Sequence, residues 1–390
     1  MIRLMKSTFI EEHSTKKALC DFIMNADKLS IGEQCDLFEK NFSAWQKREY
    51  TVFFNSGSSA NLALIQALIN QGRIKAGARV GFSAVTWATN VMPIIQMGCN
   101  PVAIDVELGT LNISSKKLLK CLKTTTIDCL FLTHLLGFCD DVEEIKAICE
   151  ENNILLLEDN CESMGTIYKG KKLGNYGLAS TFSTYVGHHL STVEGGLVCT
   201  DDEELAIMLK MVRAHGWDRN LTPKDRTSVR KKYDMFDEFF GQYTFYVLGF
   251  NLRPTEINGF LGNKQLPLLD KTLKIRFDNF KEFSQIYSKS DHFFPLCVDG
   301  IDFISNFALP LVCRTKDLFR KYIDSMVEAR IEVRPIVGGS IVKHPFFKNC
   351  HIGRNDLSNA DIIHEQGFYF GNNAELTKEE RQHIIRTLCI

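Results

Sequence analysis

Short apolar runs alternate with longer amphipathic or polar segments along the first half of this chain. Apolar runs of this length, bounded by polar residues, are typical of strands covered on both faces of a sheet. Leu62, Ile65, Leu68 and Ile69 instead recur at helical spacing after the first run. The predicted strands span residues 51–54, 79–83, 101–106, 128–133, 154–157, 180–184 and 197–200. Because helical segments separate most of these strands, we predict an α/β fold with a mostly parallel, doubly wound sheet.

A change in composition near Gln265, Leu266 and Pro267 predicts a domain boundary. We expect a large domain over residues 1–265, which begins with a polar helical segment of about 50 residues, and a smaller C-terminal α+β domain over residues 266–390. A long helix over about 271–289 is expected to connect the two domains. The segment 220–234 is basic and is predicted to be turn-rich.

Polar residues follow several predicted strands at the point where each strand ends. Glu158 and Asp159 follow the strand over 154–157, and Ser183 lies at the end of the strand over 180–184. Gly57 and Ser58 lie between the strand over 51–54 and a helix, where glycine allows close approach of the backbone and the helix start attracts anions. Ligands of open α/β sheets bind at the carboxyl ends of strands, so these residues predict a ligand site.

Composition and charge exclude several classes of partner. The 390 residues include 46 basic and 47 acidic side chains, so no electrostatic pattern for binding nucleic acid or an anionic membrane is present. No run reaches about 18 apolar residues, and we expect neither a signal peptide nor a membrane span. Thirteen scattered cysteines lack metal-ligand spacing, which predicts no metal site and a cytoplasmic protein.

Three motifs together resemble a known family. They are Glu158-Asp159-Asn160-Cys161-Glu162, then Ser183 followed five residues later by His188, then Glu194-Gly195-Gly196. This pattern is similar to the fold type I, pyridoxal-phosphate (PLP) dependent sugar aminotransferase and dehydratase family. Most members carry a lysine at the position of His188, and a minority, the sugar 3-dehydratases, carry a histidine. The resemblance extends from about residue 29 to the C-terminus, and His188 makes it strongest to the lysine-less dehydratases.

The resemblance implies a cofactor, PLP or pyridoxamine phosphate, that is held without a covalent bond to a lysine. Asp159 would hold the pyridine nitrogen and keep it protonated, Trp87 would stack on the ring and Glu162 would lie near the ring hydroxyl. A phosphate site would be formed by Gly57, Ser58 and Ser183. Asn251, in a segment similar to the family's Gly-x-Asn-x-Arg, would reach the phosphate of a partner subunit, which implies a homodimer.

The resemblance also implies a substrate and a reaction. The substrate would be a nucleotide-linked 4-keto-6-deoxy sugar, by default GDP-4-keto-6-deoxy-D-mannose, with Arg219, Arg253 and Arg334 as its ligands. With L-glutamate as amino donor and His188 as base, the enzyme would remove the C3 hydroxyl for surface polysaccharide synthesis. His215 is the second catalytic candidate, and His189 is expected to be structural.

Three alternatives remain open at this point. A sugar aminotransferase is one, and a non-catalytic binding protein that has lost its lysine is another. The third is a CDP-sugar 3-dehydratase with an iron–sulfur cluster and a reductase partner, but the stretch between Cys199 and Cys297 contains no cysteine. The cluster-free type is therefore favoured. The nucleotide base, the stereochemistry of the sugar and its chain length are not determined by these residues.

Overall fold

A computed structural model of the chain describes residues 1–348, 350 and 356–389. Its strands are β1 (Tyr50–Phe54), β2 (Arg79–Ser83), β3 (Asn100–Ile104), β4 (Cys129–Thr133), β5 (Leu155–Asp159), β6 (Ile167–Tyr168), β7 (Lys171–Lys172), β8 (Ala179–Ser183), β9 (Gly196–Thr200), β10 (Ile301–Phe303), β11 (Ala308–Val312), β12 (Val333–Pro335) and β13 (Gly367–Gly371). Its helices are α1 (Glu12–Asn25), α2 (Glu33–Gln46), α3 (Gly57–Asn70), α4 (Met92–Gln96), α5 (Ser115–Leu122), α6 (Val142–Glu151), α7 (Glu203–Arg213), α8 (Pro223–Lys232), α9 (Glu238–Gly241), α10 (Glu256–Tyr287), α11 (Lys316–Glu328), α12 (Ser358–Gln366) and α13 (Lys378–Leu388).

A seven-stranded sheet in the order β1-β9-β8-β5-β4-β2-β3 forms the centre of the large part of the molecule. The pairs from β3 through β2, β4 and β5 to β8 are parallel, whereas β9 is antiparallel to both of its neighbours. Six strands therefore end at one edge of the sheet, and β9 begins there. The predicted mostly parallel sheet is confirmed, and each of its seven predicted strands is found within two residues at either end.

Apolar side chains on both faces explain why these runs form central strands. All five residues of β4, β8 and β9 are buried, and one hydrophobic core joins this sheet to α3, α6 and α7. Burial on both faces removes the alternation of polar and apolar residues that a half-exposed strand shows. A rigid, buried sheet holds the groups at its carboxyl edge in fixed positions.

Helix α10 begins much earlier than the sequence indicated. It starts at Glu256 rather than near residue 271, and a capping box between Thr255 and Asn258 closes its first turn. Pro267 lies inside the helix. The predicted domain boundary after residue 265 therefore falls within one continuous helix that connects both parts, and the division itself stays a prediction.

The C-terminal part contains a small antiparallel sheet in the order β11-β13-β12, against which α11 and α12 pack, and α13 packs against α10 and α11. The first residues of the chain pair with this part rather than with the large sheet. Ile2 forms a bridge to Ile331, and the backbone N–H of Leu4 donates to Oε2 of Glu332 at 3.0 Å. Residues 1–10 are not helical, so the predicted N-terminal helical segment is wrong there and holds for α1 and α2.

The basic segment 220–234 is mainly helical, so its predicted turn-rich character is wrong. Pro223 occupies the first turn of α8, and the Thr222 hydroxyl accepts a hydrogen bond from the Asp225 N–H at 3.2 Å. No helix in the described part of the chain is both long and apolar enough to cross a bilayer.

Candidate active site

A cavity of about 780 Å³ lies at the carboxyl edge of the central sheet, where the N-terminal segment and the small sheet meet it. Its volume is within the usual range for sites that hold a cofactor and a small-molecule substrate. Eight of the predicted site residues line it, namely Gly57, Ser58, Trp87, Asp159, Glu162, Ser183, His188 and Arg334. The strand order brings these residues together from β1, β2, β5, β8 and β12.

Asp159 is the best-anchored carboxylate of the cavity. It is 3% exposed, and its Oδ2 accepts hydrogen bonds from the amides of Asn61 at 2.9 Å and Asn90 at 2.7 Å. Its Oδ1 accepts from the backbone N–H of Cys161 at 2.8 Å. Three donors therefore fix the orientation of this carboxylate at the end of β5. Asn61 and Asn90 have this role although sequence reasoning missed them, because each is distant from Asp159 along the chain.

The side chains of Glu158 and Asp159 face opposite sides of β5, so only Asp159 lines the cavity. Glu158 is fully buried on the other side of β5 and accepts from the N–H groups of Gly174, Tyr176 and Gly177 at 2.7 to 2.8 Å. Burial opposes its ionisation, but these bonds and His134 at 3.0 Å hold the pKa of Glu158 below its usual value. Its role is to hold the loop before β8, because neighbouring strand residues face opposite sides.

The start of α3 forms a cradle suited to an anion. A Cβ on Gly57 would lie only 2.9 Å from the Ser183 Cβ, so the approach of these two backbones requires glycine. The Ser56 hydroxyl caps the helix by accepting from the Ser59 N–H at 3.0 Å. Ser58 and Ser183 add hydroxyls to the same wall. The first N–H groups of a helix lack intrahelical partners and carry its positive dipole end, so the cradle fits a phosphate.

Trp87 presents a large aromatic face to the cavity. It follows β2 and is 54% exposed, although it lies in a concave surface. An exposed aromatic ring beside an anchored carboxylate and an anion cradle is suited to stacking on a flat ring. Thr86, directly before it, is buried, and its hydroxyl bonds with Asn90 and Thr133. This network holds the turn that carries Trp87.

His188 is positioned by two aromatic side chains. Its ring stacks on Phe307 with centroids 5.0 Å apart and meets the edge of Tyr185 at 5.6 Å. Its Nδ1 is buried and has no hydrogen-bond partner among the described residues. Burial, with a smaller effect of the nearby Arg276 charge, lowers the pKa of His188 to about 4. The imidazole is therefore neutral at pH 7 and can accept a proton.

His189 does not line the main cavity. Its ring is buried, packs edge-on against Phe307 and contacts the Ser305 carbonyl through Nε2 at 3.2 Å. This arrangement agrees with the expected structural role of His189.

Glu162 is a buried carboxyl group with one backbone donor. Its Oε2 accepts from the Leu136 N–H at 3.0 Å. Burial, supported by the negative charge of Asp159, raises the pKa of Glu162 to about 8. At neutral pH the group is mainly protonated and can donate a hydrogen bond into the cavity.

Arg334 lines the opposite wall, from β12. Its Nη2 donates to Oε1 of Glu332 at 2.5 Å, yet its side chain stays 58% exposed. The ion pair with Glu332 therefore leaves the guanidinium of Arg334 accessible to an anion in the cavity. Arg3 and Met5 of the N-terminal segment line the same wall, and sequence reasoning missed them because no local motif marks them.

Four predicted residues do not line the cavity within one chain: His215, Arg219, Asn251 and Arg253. His215 has a positive φ of 59° and donates its N–H to the Phe250 carbonyl at 2.6 Å. Asn251 is exposed, and its Oδ1 accepts from Nε of Arg253 at 2.9 Å. The exposed guanidinium of Arg219 lies 4.9 Å from the ring centre of Trp217. These side chains belong to a surface segment, so a single chain does not bring them to the cavity.

Comparison with known proteins adds three findings. The model of the DegT/DnrJ/EryC1/StrS aminotransferase family matches residues 11–389. GDP-4-keto-6-deoxy-D-mannose 3-dehydratase of Yersinia pseudotuberculosis is 35% identical over 372 residues, which cover 94% of this chain and 93% of the relative. The protein of the same name from Escherichia coli O55:H7 is 32% identical over 358 residues, 90% of each chain.

A solved structure is also similar over the full length. It is that of a GDP-4-keto-6-deoxymannose-3-dehydratase with a trapped PLP-glutamate geminal diamine. Its TM-score is 0.91 and its identity is 30%, with 100% of both chains covered. The fold type I architecture expected from the sequence is confirmed by this likeness.

Proposed function

This chain belongs to the DegT/DnrJ/EryC1/StrS aminotransferase family, and from that premise we propose that it is a PLP-dependent nucleotide-sugar 3-dehydratase. The reaction removes the C3 hydroxyl from a nucleotide-linked 4-keto-6-deoxy sugar and yields a 4-keto-3,6-dideoxy sugar. GDP-4-keto-6-deoxy-D-mannose is the proposed substrate, because two relatives at 32% identity or more carry that name.

The proposal depends above all on His188 and its surroundings. A histidine stands at the cavity wall where most family members have lysine, and in the described part of the chain no lysine lines the cavity. A neutral imidazole can accept a proton but does not hold the cofactor as an amine does. The position therefore favours dehydration over amino transfer to the sugar.

The residues at the sheet edge fit pyridoxal phosphate or pyridoxamine phosphate. The cradle of Gly57, Ser58 and Ser183 suits the phosphate, Trp87 suits the flat ring, and Asp159 suits a protonated ring nitrogen. The carboxylate of Asp159 is already oriented by Asn61 and Asn90, so little reorganisation is needed on binding. When bound, the cofactor supplies an electron sink that makes an adjacent C–H bond acidic.

His188 acts as the general base in this proposal. Its imidazole is neutral at pH 7 and accepts a proton on a ring nitrogen, and the stack on Phe307 limits rotation of the ring. Protonated Glu162 would hold the ring hydroxyl of the cofactor as a hydrogen-bond donor, and it places no second negative charge beside Asp159. His215 remains the second candidate for a catalytic role.

L-Glutamate is the proposed amino donor, and Arg334 is its proposed carboxylate ligand or a ligand of the nucleotide diphosphate. A guanidinium suits either anion because it can donate two parallel hydrogen bonds. The support for glutamate is the PLP-glutamate adduct in the similar solved structure. We propose that the reaction takes place in the cytoplasm, because thirteen scattered cysteines fit a reducing compartment better than a disulfide framework.

We further propose a homodimer in which each chain completes the site of the other. The support is an exposed aromatic surface beside Asn251 and Arg219, made of Tyr233, Phe236, Phe239, Phe240, Tyr243, Phe245 and Leu248. Several neighbouring apolar side chains at this exposure are typical of a protein interface. If a partner copy packs on this surface, the four predicted residues that lie outside the cavity of their own chain can reach the cavity of the partner.

The function is tested by incubating purified, PLP-loaded protein with a panel of nucleotide-linked 4-keto-6-deoxy sugars and L-glutamate. Mass spectrometry is expected to show loss of the C3 oxygen, with release of ammonia and 2-oxoglutarate. Formation of a stable 4-amino sugar would instead indicate an aminotransferase. A need for iron, sulfide or a reductase would indicate the reductase-dependent type, and binding of the panel without turnover would indicate a binding protein.

A further inference from the structure

A second, smaller cavity of about 100 Å³ lies behind His188. It is lined by the N-terminal segment over residues 4–11, the loop that carries His188, helix α10 and residues 373–375. His188 and Phe307 line both this cavity and the main one. The proposed base and its stacking partner therefore border both cavities, and the functions assigned above leave the smaller one without a role.

Arg276 of α10 faces this cavity and is a buried cation without a counter-charge. It is 8% exposed, and its Nη1 and Nη2 each approach the His188 carbonyl at 3.3 Å. Its Nε is buried without a hydrogen-bond partner, and no carboxylate of the described residues forms an ion pair with it. A carbonyl oxygen supplies a partial charge only, so most of the positive charge is not neutralised by the protein.

The guanidinium of Arg276 does not become neutral at pH 7, so its burial without a counter-charge stays unfavourable. Burial lowers the pKa of Arg276 only to about 10, so the group is charged at pH 7. Removing such a charge from water is costly unless a partner compensates for it. The other two buried arginines of the described residues each form an ion pair with a carboxylate: Arg213 pairs with Glu39, and Arg48 pairs with Asp201.

The remaining lining of the small cavity is suited to an anion. Hydroxyl groups of the N-terminal segment and of the loop after β8, with one amide, add possible hydrogen-bond donors: Ser7, Thr8, Ser191 and Asn373. Glu11 and Glu375 also line the cavity, but both are exposed to solvent, and among the described residues neither lies within ion-pair distance of Arg276. The space is several times what one water needs and is too small for a nucleotide.

We propose that Arg276 binds a small monovalent anion, a halide or a short carboxylate, in the cavity behind His188. One negative charge matches the single unpaired guanidinium. The bound anion contacts the N-terminal segment, α10 and the loop of His188, so it links three parts of the chain. Because it binds the folded state, it stabilises the protein by mass action.

The test is thermal unfolding of PLP-loaded protein as the sodium salt is changed at constant ionic strength. Chloride, bromide, formate and acetate are compared with gluconate, which is too large for the cavity. We expect a saturable rise in Tm with at least one small anion. A rise with halides alone identifies an inorganic anion and a rise with carboxylates alone identifies an organic one, whereas Tm values equal to those in gluconate would overturn the proposal.

Arg276→Met removes the charge while keeping the length of the side chain, and it should lose the saturable rise. The matched control is Lys271→Met, which removes an exposed cation from the same helix and should keep the rise. An unchanged response of Arg276→Met would contradict the assignment. If that variant does not fold, wild-type crystals soaked in bromide or in formate decide: an anomalous bromide peak or formate density beside the guanidinium supports the site, and a cavity that holds neither anion rejects it.

Discussion

The imidazole of His188 and the ring of Phe307 are stacked, with centroids 5.0 Å apart and planes inclined by 26°. Phe307 directly precedes β11, so a residue of the C-terminal part sets the orientation of a side chain that follows β8. The position of the proposed base therefore depends on how the two parts pack together. Residues far from the motif that contains His188 control its geometry.

Replacing Phe307 by alanine should lower kcat about 2- to 10-fold, because an aromatic pair contributes roughly 0.5–1.5 kcal/mol beyond its buried area. kcat should fall by a larger factor than KM for the sugar rises, because the ring orients the base in addition to lining the cavity. Phe307→Tyr keeps the stack and serves as the matched variant. Steady-state kinetics measures the effects on kcat and on KM separately. An equal loss of kcat in both variants would argue against an orienting role for the ring.

Replacing His188 by asparagine should reduce dehydration by about 10²- to 10⁴-fold, the usual contribution of a positioned base. Cofactor affinity, followed by absorbance titration with PLP, should persist because Asp159, Trp87 and the phosphate cradle are unchanged. His188→Lys should restore an amine at this position and yield traces of aminated sugar without dehydration. Dehydration near the wild-type rate in His188→Asn would transfer the role of base to another group, with His215 the first to test.

Glu162 should make the stability of the cofactor-free protein depend on pH. Its folded pKa of about 8 lies above the ordinary value of 4.5, so the folded state binds the proton more tightly than the unfolded state. The resulting stabilisation is complete below pH 4.5 and is lost as pH rises to about 8. Glu162→Gln keeps a neutral group of similar shape, so urea unfolding between pH 5 and 8 should show a smaller decrease. An unchanged pH dependence in this variant would mean that Glu162 ionises normally.

The shared site predicts complementation between two inactive variants. Asn251→Ala loses the group offered to the partner, and His188→Asn loses the base of its own chain. In a mixed dimer one site has neither defect, so random 1:1 mixing should restore about a quarter of the wild-type sites. Activity should appear only after subunit exchange. If exchange is shown by mass spectrometry and activity is still absent, the two residues belong to the same site.

The exposed aromatic surface gives an independent test of the dimer. Phe239 and Phe240 are 74% and 66% exposed, so glutamate at either position should leave the fold intact. A charge buried in an interface without a partner is unfavourable, and the double variant should sediment as a monomer at concentrations where wild type is a dimer. Val327→Glu, at an exposed apolar residue of α11, is the control and should remain a dimer.

The sequence by itself determined the central sheet and the residues at its edge. Central strands such as β4 are apolar throughout because both faces are buried, so their positions are visible in the chain itself. The cofactor candidates from Gly57 to His188 lie at or after the ends of such strands, and most of these strands run the same way. The pattern of apolar residues and the shared strand direction were therefore sufficient to predict the sheet and the residues at its edge.

The tertiary structure alone decided which groups meet across long distances. Asn61 and Asn90 orient Asp159, Phe307 orients His188, and Arg276 is left without a counter-charge in a second cavity. No hydrophobic period or sequence motif predicts these contacts, because each contact joins segments that are distant in sequence and meet only when the core packs. Local sequence patterns therefore identify the strand-end chemistry, whereas packing determines the orientation, burial and charge balance of each group.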